Sequence, residues 1–247
     1  MKHILTIILL TASSLSFAAQ ADSLKVAADS AYAKEDYRTA VKLYKQLDPT
    51  AAVCYNLGNS YYRLDDMAKA VLWYERAYLL DPSDPDIRFN LTMARGKTID
   101  KVVPRHEIFF VSWYSSLVNI WSADEWGYVS IALFTLALLA LLLCVVLKRI
   151  GLRKLCLSAF SVLLLLSILG NVCAFSQCRK LAHRTGAIVM DSSAVVKSTP
   201  SPSGSDLFVL HEGTKVEIRD NTLTDWYEIE LADGKVGWIE SRQIEVI

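Results

Sequence analysis

The sequence predicts a multidomain fold: all-α helical hairpins, then two transmembrane helices, then a C-terminal all-β barrel. Three observations carry that prediction. Residues 51–84 place small and aromatic residues at the spacing of two antiparallel helices. Two long apolar runs, 129–147 and 155–175, contain no charged residue. After Arg184 the pattern changes to short β-prone segments separated by turn residues.

Bulk properties set the frame. The 26 basic and 26 acidic residues cancel, which argues against a nucleic-acid partner. The apolar excess is concentrated at the N-terminus and in the two runs, as expected of a membrane protein with water-exposed parts. At the start, Lys2 and His3 precede an apolar core over 4–10, then small residues ending Ala18-Ala19-Gln20-Ala21. Ala19 and Ala21 satisfy the A-x-A rule, so residues 1–21 read as a signal peptide cleaved after Ala21. An uncleaved anchor is the other reading, although the run is shorter than the roughly 20 residues a span requires. Cys144, Cys156 and Cys173 fall in apolar runs and Cys54 at a helical core position, so no disulfide framework is expected. Cys178 is the thiol placed nearest water, inert or open to a mixed disulfide.

In 51–84 the informative residues are Leu57-Gly58, Tyr61, Ala70, Tyr74, Ala77 and Pro82. Gly58 and Ala70 let two helices approach, Tyr61 and Tyr74 fill the space between them, and Asp81-Pro82 stops the second. A weaker copy precedes it, with Asp36-Tyr37 at the turn, Ala40 and Tyr44 matching Ala70 and Tyr74, and an early stop at Asp48-Pro49. A further helix over 84–96 follows, with Asp84 as cap and Pro85 at the first turn. This pattern resembles the tetratricopeptide repeat (TPR) family. The resemblance implies a TPR array with a capping helix over 22–97 and a concave groove faced by Tyr55, Asn59, Tyr62, Arg63 and Phe89, with Lys25, Asp29 and Met93 beside them. Tyr and Arg suit a protein or peptide partner, though a plain packing role also fits. Lys25 and Asn56 match two positions of a carboxylate clamp found in some TPR domains, while Asp29 and Asp86 stand where that clamp has Asn and Lys.

Residues 98–122 read as a linker followed by an aromatic segment containing Phe109, Phe110, Trp113 and Tyr114. Such aromatics gather at the membrane–water boundary, which suggests a helix lying on lipid; packing on the TPR array is the alternative. Ser122-Ala123-Asp124-Glu125 forms a capping box that starts the next helix. The spans are then expected over 126–147 and 155–175, with the basic loop 148–154 between them on the cytoplasmic side. Ser167, Gly170, Asn171 and Ala174 share a helical face, suited to packing the two spans as a hairpin or against a partner's span. Neither run holds an ionisable Asp, Glu, Lys, Arg or His, which argues against an ion pathway. Arg179, Lys180 and Arg184 compete with the basic loop, and the signal peptide decides the orientation. The expected location is a two-pass inner (plasma) membrane protein with its N- and C-terminal domains in the periplasm.

Six short strands are expected in 185–247, at 187–189, 194–197, 207–210, 215–219, 226–230 and 236–240. The runs Val196-Lys197-Ser198-Thr199-Pro200, Leu210-His211-Glu212-Gly213-Thr214-Lys215-Val216, Asp225-Trp226-Tyr227-Glu228-Ile229 and Asp233-Gly234-Lys235-Val236-Gly237-Trp238-Ile239 resemble the bacterial SH3-like family. Lys197 stands where that family usually has Arg. The resemblance implies a small barrel that binds peptidoglycan or protein, with Trp226, Tyr227 and Trp238 as ligand candidates or as buried structural aromatics.

His106, His183 and His211 have no ligand partner at metal-binding spacing, and no catalytic motif is present, so no cofactor, metal or enzymatic activity is expected. The order of modules, with the segment Asp84-Pro85-Asp86-Ile87-Arg88-Phe89-Asn90-Leu91 and then Lys97-Thr98-Ile99-Asp100-Lys101, resembles the BatE-like TPR proteins of the Bacteroides aerotolerance (Bat) group. That resemblance implies a non-enzymatic scaffold for envelope stress or oxygen tolerance. It also implies membrane-bound von Willebrand factor A-type proteins and a MoxR-type ATPase as associates.

Overall fold

The structure is a computed structural model and describes residues 22–103, 105 and 109–247. The expected signal peptide over 1–21, Pro104 and His106 lie outside the described residues. The described residues up to Tyr78, with Pro85–Arg105 and Thr185–Ile247, form one compact unit. Leu79–Asp84 and the described part of His106–Arg184 form another.

The first unit opens with helical hairpins. Helix α1 covers 22–33, α2 Tyr37–Tyr44, α3 Ala51–Arg63, α4 Met67–Leu80 and α5 Pro85–Lys97. Asp36 caps α2 through Thr39 N–H at 3.1 Å, and Asp66 caps α4 through Lys69 N–H at the same distance. The residue before each cap, Glu35 and Asp65, is left-handed, with φ of 62° and 61°. The Asp65-Asp66 turn thus repeats the Glu35-Asp36 turn in backbone conformation and in capping. Gly58 explains the close hairpin. A Cβ built there would sit 2.5 Å from Tyr74 Cδ1, so only glycine admits the ring. Tyr44, Leu57, Ala70, Tyr74 and Leu72 are buried in the resulting core.

The C-terminal part of this unit holds seven antiparallel strands: β1 Gly186–Val189, β2 Ala194–Lys197, β3 Asp206–Leu210, β4 Lys215–Asp220, β5 Trp226–Glu230, β6 Val236–Glu240 and β7 Ile244–Val246. Their order is β3-β2-β6-β5-β4-β1-β7. Here the structure corrects the expected closed barrel: β3 and β7 stand at the two ends and do not pair. The sheet nevertheless curls round one core, since Leu210 of β3 and Ile244 of β7 belong to the same buried cluster as Val189, Val196, Ile229 and Ile239. The seventh strand adds to the six expected. Asp233-Gly234 makes the β5–β6 turn, with Gly234 at φ 86°. The described residues of 98–105, expected to be a plain linker, form a strap along the β part. Thr98 is buried, Val102 packs on the β core, and Arg105 N–H donates to the Ala232 carbonyl at 2.9 Å.

The second unit holds α6 Phe109–Val118, α7 Ala123–Val146 and α8 Ile150–Ala182. Helices α7 and α8, of 24 and 33 residues, are long and apolar enough to cross a membrane. At 1.5 Å per residue α8 runs to about 50 Å, well beyond a hydrocarbon core of about 30 Å. It begins at Ile150, so most of the expected 148–154 loop is helical, and it continues past 175 to Ala182. The capping box at Ser122 and Glu125 is formed in both directions. The small-residue face of α8 meets α7: Ser167 Oγ donates to the Ser130 carbonyl at 2.9 Å, and a Cβ at Gly170 would strike Ser130 Oγ. Gln177 Nε2 donates to the Val118 and Trp121 carbonyls at 2.6 Å each, and Trp126 Nε1 also donates to Val118, at 3.0 Å. These bonds satisfy the Val118 carbonyl at the end of α6, where a helix leaves acceptors unpaired, and the Trp121 carbonyl in the turn beyond it. Phe109, Phe110 and Trp113 of α6 are exposed.

Candidate functional site

One face of the array forms an open groove of about 370 Å³, lined by Tyr32, Tyr55, Asn59, Tyr62, Arg63, Tyr74, Asn90 and Met93. The spacing of Tyr55, Asn59, Tyr62 and Arg63 puts all four on one face of α3. The floor is a hydrogen-bond network. Tyr74 OH donates to Asn59 Oδ1 at 2.7 Å, and Asn90 Nδ2 donates to both Asn59 Oδ1 and Tyr55 OH, at 2.9 Å each. The same device recurs in the weaker repeat, where Tyr44 OH donates to Asp29 Oδ1 at 2.5 Å. Burial raises the Tyr74 hydroxyl pKa, and its tyrosine neighbours add to the shift, so this floor stays neutral. The cation on the rim is Arg63, whose bond with the Tyr32 hydroxyl raises its already high pKa. Lys97 lies over the Tyr62 ring at 4.1 Å and adds a second positive group beside it. Neutral hydroxyls and amides under a fixed cation can hold a ligand; they supply no base or nucleophile.

The expected groove residues separate into two sets. Tyr55, Asn59, Tyr62, Arg63 and Met93 line the groove together. Phe89 does not: it is 64 % exposed, because the turn of α5 directs its neighbour Asn90 inward instead. Lys25 and Asp29 pair with each other at 3.2 Å. The ammonium of the clamp-like pair is therefore satisfied by the carboxylate that replaces the clamp's amide. Sequence reasoning passed over Tyr32, Tyr74 and Asn90. The signal available for Tyr74 was its partner fifteen residues upstream, matching Tyr44 and Asp29.

The aromatics of the β part do not make one surface. Side chains alternate along a strand. Tyr227 therefore packs on the core, opposite Ile239, while Trp226 and Trp238 take the other face of β5 and β6. Trp226 is only 9 % exposed, so the reading of it as a structural aromatic fits its position.

His211 also has a partner that spacing could not show. Its Nδ1 lies 2.9 Å from Asp100 Oδ1, while its N–H and the Thr214 hydroxyl donate to Asp100 Oδ2 at 2.7 and 2.8 Å. Burial pushes the Asp100 pKa up, but these three hydrogen bonds together hold it below the ordinary carboxylate value. Both side-chain partners end on Asp100, and the Thr214 hydroxyl is spent on the carboxylate rather than on the imidazole. The cluster is a structural clasp, not a nucleophile–base pair.

Two family models match the chain. A tetratricopeptide repeat model covers residues 51–84, and a bacterial SH3 domain model covers residues 192–245. No curated protein matches the chain. The chain therefore carries a tetratricopeptide repeat followed by a bacterial SH3 domain, both of kinds that serve interaction rather than chemistry.

Proposed function

We propose that this chain is an inner-membrane-anchored scaffold whose TPR groove holds a protein or peptide partner on the periplasmic side, as part of a Bat-type envelope-stress or aerotolerance complex. The observation that carries the reading is the groove: preorganised amides and hydroxyls on the floor, half-buried tyrosines along its sides, and Arg63 at the rim. Tyr and Arg are the side chains that contribute most often to protein interfaces. The same-side placement of the two modules has support from connectivity. The array and the SH3-like domain belong to one compact unit, while two helices able to cross a membrane lie between them in sequence. An even number of crossings satisfies both facts. The aromatic α6 then rests on lipid, and membrane-bound von Willebrand factor A-type proteins are the first partners to look for. The test is affinity capture of the intact membrane complex with wild-type chain and with Tyr55→Ala, Tyr62→Ala and Arg63→Ala combined. The reading expects loss of at least one stoichiometric partner; equal recovery of every partner defeats it.

A second reading makes the SH3-like domain a cell-wall tether or sensor. The match of residues 192–245 to a bacterial SH3 domain and the part-exposed Trp238 on the face of β6 turned away from the core favour it. Co-sedimentation of the full chain, in detergent, with purified sacculi separates the two: a tether pellets with the wall and a Trp238→Ala variant does not.

A further inference from the structure

The array and the SH3-like domain meet through a small set of polar contacts drawn from distant parts of the chain. On α4, Glu75 is 2 % exposed, and its carboxylate takes Arg95 of α5 on one oxygen and Lys215 Nζ of β4, at 3.1 Å, on the other. One residue on, Arg76 donates to Glu245 Oε1 at 3.0 Å and to the Val246 carbonyl at 2.6 Å, both on β7. In the strap, Asp100 holds the His211 N–H, the His211 ring and the Thr214 hydroxyl. Turn residue Gly213, at φ 82°, lies so close to Thr98 that a Cβ there would come 2.6 Å from its methyl. Apart from Val102 and the Gly213–Thr98 approach, these contacts are hydrogen bonds and ion pairs.

Strand β7 ends the sheet, and among the described residues no strand pairs with its outer side. Such an edge is a template for adding a further strand. Arg76 occupies it, with its guanidinium on the Val246 carbonyl. Helix α4 therefore carries Tyr74 into the groove floor and, in the next two residues, Glu75, which holds Lys215 of β4, and Arg76, which covers the β7 edge.

We propose that α4 and the strap form a releasable electrostatic latch that docks the SH3-like domain on the TPR array and guards its β7 edge. Lys215, Glu245 and His211 remain part-exposed while engaged. The exposed Arg76–Glu245 pair is of the kind that is individually weak and screened by salt, whereas Glu75 stays buried between Arg95 and Lys215. Polar faces between domains of one chain are the kind that part and rejoin. The occupant of the edge is the chain's own α4 because the strap ties the β module beside it through the Arg105–Ala232 bond and Val102.

Hydrogen exchange on the full chain in detergent micelles tests this. The amides of His211 and Arg105 donate across the contact, to Asp100 and Ala232, and so report opening. Amides in the β5–β6 ladder report the SH3-like fold itself. Arg76→Glu is expected to speed exchange at His211 and Arg105 by about tenfold, the ratio that corresponds to about 1.4 kcal/mol. The swap Arg76→Glu with Glu245→Arg is expected to restore part of the lost protection, since it rebuilds the ion pair but not the bond to the Val246 carbonyl. Raising salt from about 0.05 M to about 0.5 M should act like Arg76→Glu, since screening weakens exposed pairs. The latch is overturned if both amides are indifferent to Arg76→Glu and to salt. It is equally overturned if the β5–β6 ladder loosens with them, or if the swap restores none of the lost protection, because the contact is then part of a single fold.

Discussion

Replacing Gly58 by Ala is a sharp test of the helical packing beneath the groove. The added methyl would meet three carbons of the Tyr74 ring, at 2.5, 2.6 and 2.9 Å, where ordinary contact is about 3.5–4.0 Å. The ring cannot swing aside freely, since Tyr74 is 2 % exposed and its hydroxyl is held by Asn59. Overpacking of this kind costs about 1–3 kcal/mol. Losing the Tyr74–Asn59 bond adds about 0.5–1.5 kcal/mol. Ala in place of Gly returns about 1 kcal/mol of helix propensity. The balance is a loss of about 0.5–3.5 kcal/mol, or a fall of about 2–12 °C in the melting temperature of a unit this size. The assay is thermal unfolding of the full chain in micelles, followed by circular dichroism. Gly96→Ala serves as the internal contrast. Nothing lies within 4 Å of a Cβ at Gly96, so the same substitution there should be neutral or stabilising by up to about 1 kcal/mol. If Gly58→Ala is as stable as wild type, the close approach of α3 and α4 is not what the packing argument requires.

Three further outcomes follow from the same geometry. Asn90→Ala removes the amide that bridges the Tyr55 hydroxyl and the Asn59 carbonyl, leaving Tyr74 as the donor to Asn59, and should cost about 1–2 kcal/mol in the same melt. Because the Asp100 pKa is lowered from 3.8, its contribution to stability is complete above that value and is lost as pH falls through the lower folded value. Asp100→Asn should therefore flatten the acid limb of the stability–pH curve below pH about 4, and an unchanged limb counts against the clasp. Gly170→Val drives a side chain into Ser130 and should weaken the α7–α8 hairpin by about 1–3 kcal/mol, read as a lower mole fraction of denaturing detergent at unfolding.

Much of the architecture is local and was therefore readable in advance. Leu57-Gly58 and Tyr74 announce the hairpin because steric fit needs a missing Cβ opposite a ring. Ser122 and Glu125 announce a helix start because capping acts over three residues. Ser167 and Gly170 mark a packing face, and the structure puts Ser130 against it. Other features are set by residues far apart in sequence. Asp100 lies in what reads as a linker, and nothing nearby signals that His211 and Thr214, more than a hundred residues on, will close over it. The three-residue β7 is too short to show a period, and it becomes a strand by pairing with β1. Within the groove, helical phase settled α3 but not α5. Phe89 and Asn90 are adjacent, and the choice between them turns on the Tyr55–Asn59 floor that Asn90 completes. Trp226, Tyr227 and Trp238 look alike in composition, yet strand alternation sends Tyr227 to the core and the tryptophans to the other face.

The central claim is that the array and the SH3-like domain work on one side of a membrane crossed twice between them. A phosphatase that folds only outside the cytoplasm, fused after Ile247 or inserted between Leu147 and Lys148, tests it directly. With expression of both fusions verified, activity after Ile247 and silence at the insertion is the predicted result. Silence after Ile247, or activity at the insertion, contradicts it.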